Sequence, residues 1–254
     1  MRISGLVGQI REHTIVKRDV DRDSIVVDLG MNDGRFAREV HETFGCKVFG
    51  AEPNPDLVSS LGVAGAITCQ NVAISASAGT VKFCLSNDNE ASHIMSAGLA
   101  RADQTIVEVS SVPLTIFLST NHITRIDLLK IDIEGAELEI FEGPDFQILK
   151  EAKQITVEFH AFLDPLQRPR VKKIISRMKS SGFYCIDFSA TWKDVLFVNQ
   201  SLVKLAVREK VALLYHKYTC GVPALIRKFY REDLGTVTRK IISRKYSRPL
   251  ERQT

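Results

Sequence analysis

Ile25-Val26-Val27-Asp28-Leu29-Gly30-Met31-Asn32-Asp33-Gly34 joins an apolar run to two closely spaced glycines. Such a run reads as a buried strand ending in a ligand-binding turn, because glycine brings backbone close to a ligand with no Cβ in the way. Downstream, Phe36, Val40 and Phe44 recur at the spacing of one helix face, and the unpaired N–H groups at the start of that helix suit a bound cofactor. Eighteen residues beyond Gly34, Glu52 closes a second apolar run, 47–52. An acid at the end of the second strand of a βαβ unit suits hydrogen bonds to the two hydroxyls of a ribose. The spacing Gly30-x-x-x-Gly34 departs from the G-x-G-x-x-G that seats a pyrophosphate, so a cofactor without phosphates fits better than a dinucleotide.

The stretch Val26 to Gly34 resembles the first motif of S-adenosylmethionine-dependent methyltransferases, and its Asp-x-Gly-x-Asn-x-Gly form is similar to the FkbM family. A second block, Ile126 to Glu137, resembles that family's Lys-Ile-Asp-x-Glu-Gly-x-Glu signature, and Val157-Glu158-Phe159-His160 resembles the strand that follows. Asn71-Val72-Ala73-Ile74-Ser75 and residues 112–118 are similar to further family segments, although Ser119-Thr120 stands where the family usually has an acidic pair. The resemblance spans roughly residues 20–200. It implies a Rossmann-like class I methyltransferase fold: an α/β domain with a mostly parallel seven-stranded sheet and helices on both faces. It also implies S-adenosylmethionine as cofactor and a hydroxyl oxygen of a saccharide, lipid-linked glycan or secondary metabolite as acceptor. Asp28, Gly30, Asn32, Gly34, Glu52, Asn71 and Asp132 are the cofactor residues expected on that basis.

The pattern of the chain agrees with alternating strand and helix, the signature of a parallel sheet covered on both faces. Strands are expected at 25–30, 47–52, 66–73, 127–133, 155–160, 183–189 and 194–199, with additional strands at 79–85 and 106–112. Helices are expected at 35–44, 55–61, 136–142 and 169–181, the second opened by the Asn54 cap and Pro55. Gly79-Thr80 suggests a hairpin after the third strand, and polar residues 86–105 suggest an acceptor-facing loop.

Open α/β sheets bind ligands beyond the carboxyl ends of their strands, which makes Asp132, Glu134, Glu158 and His160 the residues to watch. Asp132 is expected at the methionine end of the cofactor. Lys130 shares its face one step deeper, and a buried ammonium there requires a carboxylate partner such as Asp28 or Glu158. Glu134 either faces the acceptor or serves as an acid at the start of the next helix. His160 is the expected proton acceptor, since imidazole ordinarily titrates near neutrality, with Glu158 orienting it. A divalent ion on Asp132, Glu158 and His160 competes for the same groups, with Mn²⁺ or Fe²⁺ suiting them better than Mg²⁺. The sequence offers no compact ligand spacing for such an ion, and no metal is expected.

The 254 residues are 44% apolar and 25% charged, ordinary globular usage. Their five scattered cysteines contain no Cys-x-x-Cys pair, so neither a disulfide framework nor a zinc site is indicated. No run has the length of a membrane span and Met1 to Ile10 lacks a signal-like core, so a cytoplasmic protein is expected. The net charge of +4 conceals an asymmetry: residues 204–254 hold 13 Lys and Arg against 4 Asp and Glu, a surplus of +9 over a slightly acidic remainder. The expected division is therefore a cofactor-binding domain at 1–200 and a basic amphipathic helical extension at 201–254. Within the extension, residues 217–254 read as surface helices, with peripheral contact to an anionic membrane at its inner face as the second expectation. No nucleic-acid partner is expected, because no aromatic-interleaved RNA motif appears. Two other functions share parts of this pattern. A nicotinamide-dependent oxidoreductase would show tighter glycine spacing and a Tyr-x-x-x-Lys relay, which is absent. A non-catalytic Rossmann-like binding module would have no need for the intact set Asp28, Gly30, Gly34 and Glu52.

Overall fold

The computed structural model describes residues 6–62, 65–85, 93–94, 105–161, 165–189 and 191–221. The chain opens with β1 (Val7–Ile10) and β2 (His13–Val16), an antiparallel pair. The first half of the central sheet follows as β3 (Ile25–Leu29), α1 (Arg35–Phe44), β4 (Lys47–Ala51), α2 (Pro55–Ser60) and β5 (Ile67–Gln70). Next come β6 (Ala73–Ile74), β7 (Gly79–Leu85), β8 (His93–Ile94) and β9 (Thr105–Val112). The second half comprises α3 (Leu114–Thr120), β10 (Ile126–Ile131), α4 (Glu137–Glu142), α5 (Phe146–Leu149), β11 (Ala152–Val157) and α6 (Arg168–Ser180). The described chain ends through β12 (Phe183–Asp187), β13 (Val195–Asn199) and α7 (Val207–His216).

Seven strands form the central sheet in the order β12-β13-β11-β10-β3-β4-β5. Every pairing from β11 to β5 is parallel, while β13 runs antiparallel between β11 and β12. The order reverses between β3 and β10, and a crevice opens at such a switch point beyond the strand ends. Both faces of the central strands are covered, so β13 reads as a nearly continuous apolar run, while β10 and β11 bury Asp127, Lys130, Gln154 and Thr156 among their apolar residues. On one face, Leu114, Phe117, Phe141, Phe146, Val171 and Met178 from the second-half helices pack on the sheet. On the other, α1 contributes Phe36, Ala37 and Val40 beside Ile10 and Ile15 of the hairpin.

Two local expectations change. The third strand is broken into β5 and β6, and β6 leaves the central sheet for a four-stranded one, β6-β9-β7-β8. Gly79 does not turn a hairpin between β6 and β7, because both pair with β9, one parallel and one antiparallel, and Gly79 lies opposite Ser111. Most of the loop expected at 86–105 falls outside the described residues.

Buried polar groups tie the β1–β2 hairpin to the sheet. Gln154 accepts from the Val16 N–H at 2.9 Å and donates to its carbonyl at 3.1 Å, while the Thr14 N–H donates to Asp194 at 3.0 Å. Arg18, just past the hairpin, pairs with Glu209 of α7 and donates to the Lys204 carbonyl at 3.0 Å. Helix α7 in turn buries Ala212 and Leu213 in a core shared with Val7, Val16, Leu196 and Val198. The first part of the expected extension thus packs on the domain, and residues 222–254 lie outside the described chain.

Candidate active site

Parallel register sets the floor of the site. Asp28 of β3, Lys130 of β10 and Thr156 of β11 lie side by side. The Lys130 Nζ stands 3.0 Å from Asp28 Oδ1 and 3.5 Å from Asp132 Oδ2, and it donates to the Gly30 carbonyl at 2.7 Å. Burial opposes the lysine's charge, but the flanking Asp28 and Asp132 carboxylates outweigh it and raise its pKa. The fully buried Asp28 is pushed upward by desolvation against the pull of Lys130. The partner expected for the lysine is therefore in place, and Asp28 itself is buried and is not among the residues that line the cleft.

Above this floor opens a cleft lined by Gly30, Asn32, Glu52, Asp132 and Glu134 on its polar side. Leu57, Val72, Ala73, Ile74 and Phe83 make an apolar wall. Glu52 ends β4 with one carboxylate oxygen accepting the Asn32 N–H and the other the Asn54 N–H, each at 2.8 Å. These bonds fix the carboxylate and leave lone pairs for a diol. Asn54 caps α2 by accepting from the Asp56 N–H at 3.0 Å, as its sequence position predicts. Asn71 and Gly34 are absent from the lining. Asn71 donates to the carbonyls of Glu52 and Pro53 and so holds the turn from outside, while Gly34 takes φ +73° to cap α1.

At one end of the cleft the strand ends of β10 and β11 deliver a second group. His160 is buried, with Nδ1 2.8 Å from Glu137 Oε1 and Nε2 3.1 Å from Glu134 Oε2, 3.8 Å from Asp132 Oδ1 and 3.9 Å from Glu158 Oε1. The orienting carboxylate is therefore Glu137. Glu158, expected in that role, instead faces Nε2 and pairs with Lys193 at 3.2 Å. The same Glu137 oxygen also accepts the N–H groups of Ile133 and Gly135, at 3.3 and 2.9 Å, which fixes a turn that holds Glu134 at φ +54°. Helix α4 begins only at Glu137, so Glu134 is not its first-turn acid and lines the cleft.

Charge is concentrated here. Burial disfavours the imidazolium, but the Glu137 hydrogen bond and the Glu134 and Asp132 carboxylates outweigh it and push the His160 pKa up to about 9. Desolvation raises Glu134 to about 8, opposed by His160 and reinforced by Asp132, Glu137 and Glu158. Asp132 is held well below the usual carboxylate range: burial is overcome by Lys130, His13 and His160. Its two oxygens divide the work, Oδ2 facing Lys130 and His13 and Oδ1 facing His160.

Sequence reasoning missed two members of the site. Glu137 stands in the signature without an assigned role, and its meaning emerges only from the three groups gathered on one oxygen. His13, 3.7 Å from Asp132 and 3.2 Å from Thr156, comes from the β1–β2 hairpin, outside the region of resemblance.

The Methyltransferase FkbM domain model matches residues 28–185, more than half of the chain. Hexuronic acid methyltransferase AglP of Haloferax volcanii is 27% identical over 189 residues, covering 71% of this chain and 73% of that protein. Among solved structures, the Methanococcus jannaschii fibrillarin pre-rRNA processing protein aligns with TM-score 0.39 and 16% identity, covering 70% of this chain and 66% of that one. The precorrin-6y C5,15-methyltransferase of Geobacter metallireducens aligns with TM-score 0.37 and 13% identity, over 70% of this chain and 81% of the other. The glycine turn, the ribose-suited Glu52 and the apolar wall fit S-adenosylmethionine, and the chain belongs to the FkbM family of methyltransferases that use it.

Proposed function

We propose that the protein transfers a methyl group to a hydroxyl oxygen of a saccharide, free or lipid-linked, with hexuronate-containing glycans the first acceptors to test. The observation that carries this reading is the Glu134–His160 pair, 3.1 Å apart at the end of the cofactor cleft. Bound in the cleft, S-adenosylmethionine supplies an electrophilic methyl group. In the proposed reaction Glu52 holds the ribose diol and Asp132 the charged methionine end. The apolar wall from Leu57 to Phe83 receives the flat base and excludes water. A neutral hydroxyl becomes a competent nucleophile only as its proton leaves; in this reading the Glu134–His160 pair takes that proton once it has lost one of its own, so turnover is expected to rise with pH through about 8 to 9. Carboxylates crowded around His160 would repel an anionic acceptor oxygen, which favours a hydroxyl over a carboxylate. The relative's name, a hexuronic acid methyltransferase, supports a sugar acceptor.

The test is incubation with methyl-labelled S-adenosylmethionine and fractionated saccharide, lipid-linked saccharide and small-molecule pools. Label in a saccharide pool that survives alkali indicates a methyl ether, whereas alkali-labile label would reveal an ester and overturn the hydroxyl assignment. His160→Ala is expected to cut turnover about 10²–10⁴-fold while leaving S-adenosylhomocysteine affinity nearly unchanged. Normal turnover by that variant would remove the pair from the chemistry.

A further inference from the structure

Asp132, Glu158 and His160 each present one donor atom, and the three atoms lie within 4.8 Å of one another. Ligands about 2.1 Å from a common ion stand roughly 3–4 Å apart. The separations from His160 Nε2 to Asp132 Oδ1 and Glu158 Oε1, 3.8 and 3.9 Å, already fall in that range. The residues come from the adjacent parallel strands β10 and β11 and the turns that end them, so the sheet itself sets their spacing.

A second observation concerns the far side of the imidazole. Glu137 is 1% exposed and holds His160 Nδ1 at 2.8 Å, so the other ring nitrogen is turned toward Glu134, Asp132 and Glu158, at 3.1, 3.8 and 3.9 Å. A carboxylate behind a histidine is the usual support of a metal-bound imidazole, where it fixes the tautomer and the ring direction. Glu137 is in turn anchored by two backbone N–H groups of the 133–135 turn.

The local charge points the same way. The carboxylates of Asp132, Glu134, Glu137 and Glu158 surround this imidazole, and the lysines beside them are Lys130 and Lys193. Lys130 is already shared with the buried Asp28. Lys193 reaches Glu158 Oε1 at 3.2 Å from a side chain that is one-third exposed, and is the cation an arriving ion must displace from that oxygen.

We propose that Asp132, Glu158 and His160 form a binding site for a first-row divalent cation of the Mn²⁺ or Fe²⁺ type, against the sequence expectation of no metal. One imidazole with two carboxylates suits these ions better than Mg²⁺, and the absence of a thiolate from the set disfavours softer ones. Three protein ligands leave coordination positions open. Asp132 lines the cleft, and a sugar diol entering there is the chemistry that would complete them. Only this last use rests on the methyl-transfer reading, in which an ion on His160 Nε2 leaves Glu134 to take the acceptor's proton; binding of the ion does not.

The test is a titration of the full chain with Mn²⁺, reading the free-ion electron paramagnetic resonance signal, alongside calorimetry with S-adenosylhomocysteine. One Mn²⁺ bound per chain is expected. Glu158→Gln and His160→Ala should each weaken it at least tenfold while keeping S-adenosylhomocysteine affinity, which shows that the variants are folded. Lys193→Met should bind Mn²⁺ more tightly than the wild type, because the competing ammonium is gone. A free-ion signal unaffected by the protein, or variants at Glu158 and His160 that bind like the wild type, would overturn the site and leave methyl transfer standing. Failure of the wild type to bind S-adenosylhomocysteine would instead strike the reading of the cleft.

Discussion

Gly30 is constrained by its own backbone and by the neighbouring end of β10. It sits at φ +78°, and a Cβ there would lie 1.8 Å from the Asp132 carbonyl oxygen, a backbone atom with little freedom to move. Gly30→Ala is therefore expected to destabilise the fold by roughly 2–4 kcal/mol through strain and overlap. Chemical denaturation measures this, and a variant of normal stability with only cofactor binding impaired would contradict it. Glu52 makes the opposite case. Glu52→Gln preserves a carbonyl for one backbone N–H but loses the charge that strengthens bonds to a diol, worth about 1.5–3 kcal/mol per bond. S-adenosylhomocysteine affinity should fall about tenfold or more by calorimetry in a folded variant. Asp194 offers a pH test away from the site. Desolvation raises its pKa to about 6, against the pull of its bonds to Thr14. Its native form holds a proton more tightly than the unfolded chain. That contribution is complete below about pH 4 and is lost as pH rises through about 6, an effect of about 3 kcal/mol. Urea unfolding of the wild type and Asp194→Asn between pH 4 and 7 should show the wild type alone losing this increment, and parallel curves would refute the assignment.

At the scale of elements, the β1–β2 hairpin is held by side chains far along the chain. Gln154 satisfies both the N–H and the carbonyl of Val16. Gln154→Met fills similar space but strands both groups, at an expected cost of about 2–4 kcal/mol seen as a lowered urea midpoint. This dependence explains why the hairpin was illegible in the sequence. Its strands have four residues each, and the turn is Arg11-Glu12, with Arg11 at φ +53° and no glycine or asparagine to announce it. The central strands were legible because burial on both faces leaves apolar clusters such as Ile25-Val26-Val27 and Val195-Leu196-Phe197-Val198, and α1 and α2 because helix spacing and an Asn-Pro start are local signals. The candidate site was legible where acids and a histidine end strands. It was not legible where function depends on who faces whom: Glu137 lies 23 residues from His160, and nothing local distinguishes it from Glu158 as the imidazole's support.

For the whole molecule, the open question is what meets the basic end of the chain. Helix α7 buries Ala212 and Leu213 against the domain but leaves Val207, Val211, Leu214 and Tyr215 exposed on another face, continued by Tyr218. Lys204 and Arg208 are exposed near it, and the residues from 204 onward carry a surplus of +9. An apolar face with a cationic surplus has the chemistry of an interfacial helix on an anionic bilayer. Among the described residues no helix is long and apolar enough to cross a membrane. Full-length protein is expected to sediment with anionic vesicles at low salt, to be released as salt is raised, and to lose the association when residues 222–254 are removed. Vesicles left bare at low salt would refute the contact.

The stitching of the first hairpin to late segments has a consequence during synthesis. Thr14 is 180 residues ahead of its partner Asp194, and Arg18 is 191 ahead of Glu209. At about 5–20 residues per second, a ribosome takes roughly 10–40 s to cover that interval. Throughout it Val7 and Val16, whose core holds Leu196, Val198 and Leu213, have no finished surface to cover them, whereas Ile10 and Ile15 find theirs early in α1. Strand β12 is likewise made before β13, which must enter between it and β11. A nascent chain paused before residue 194 would therefore display its opening hairpin to chaperones, and ribosome-bound chains halted there should be more protease-sensitive around residues 6–16 than chains extended past 216.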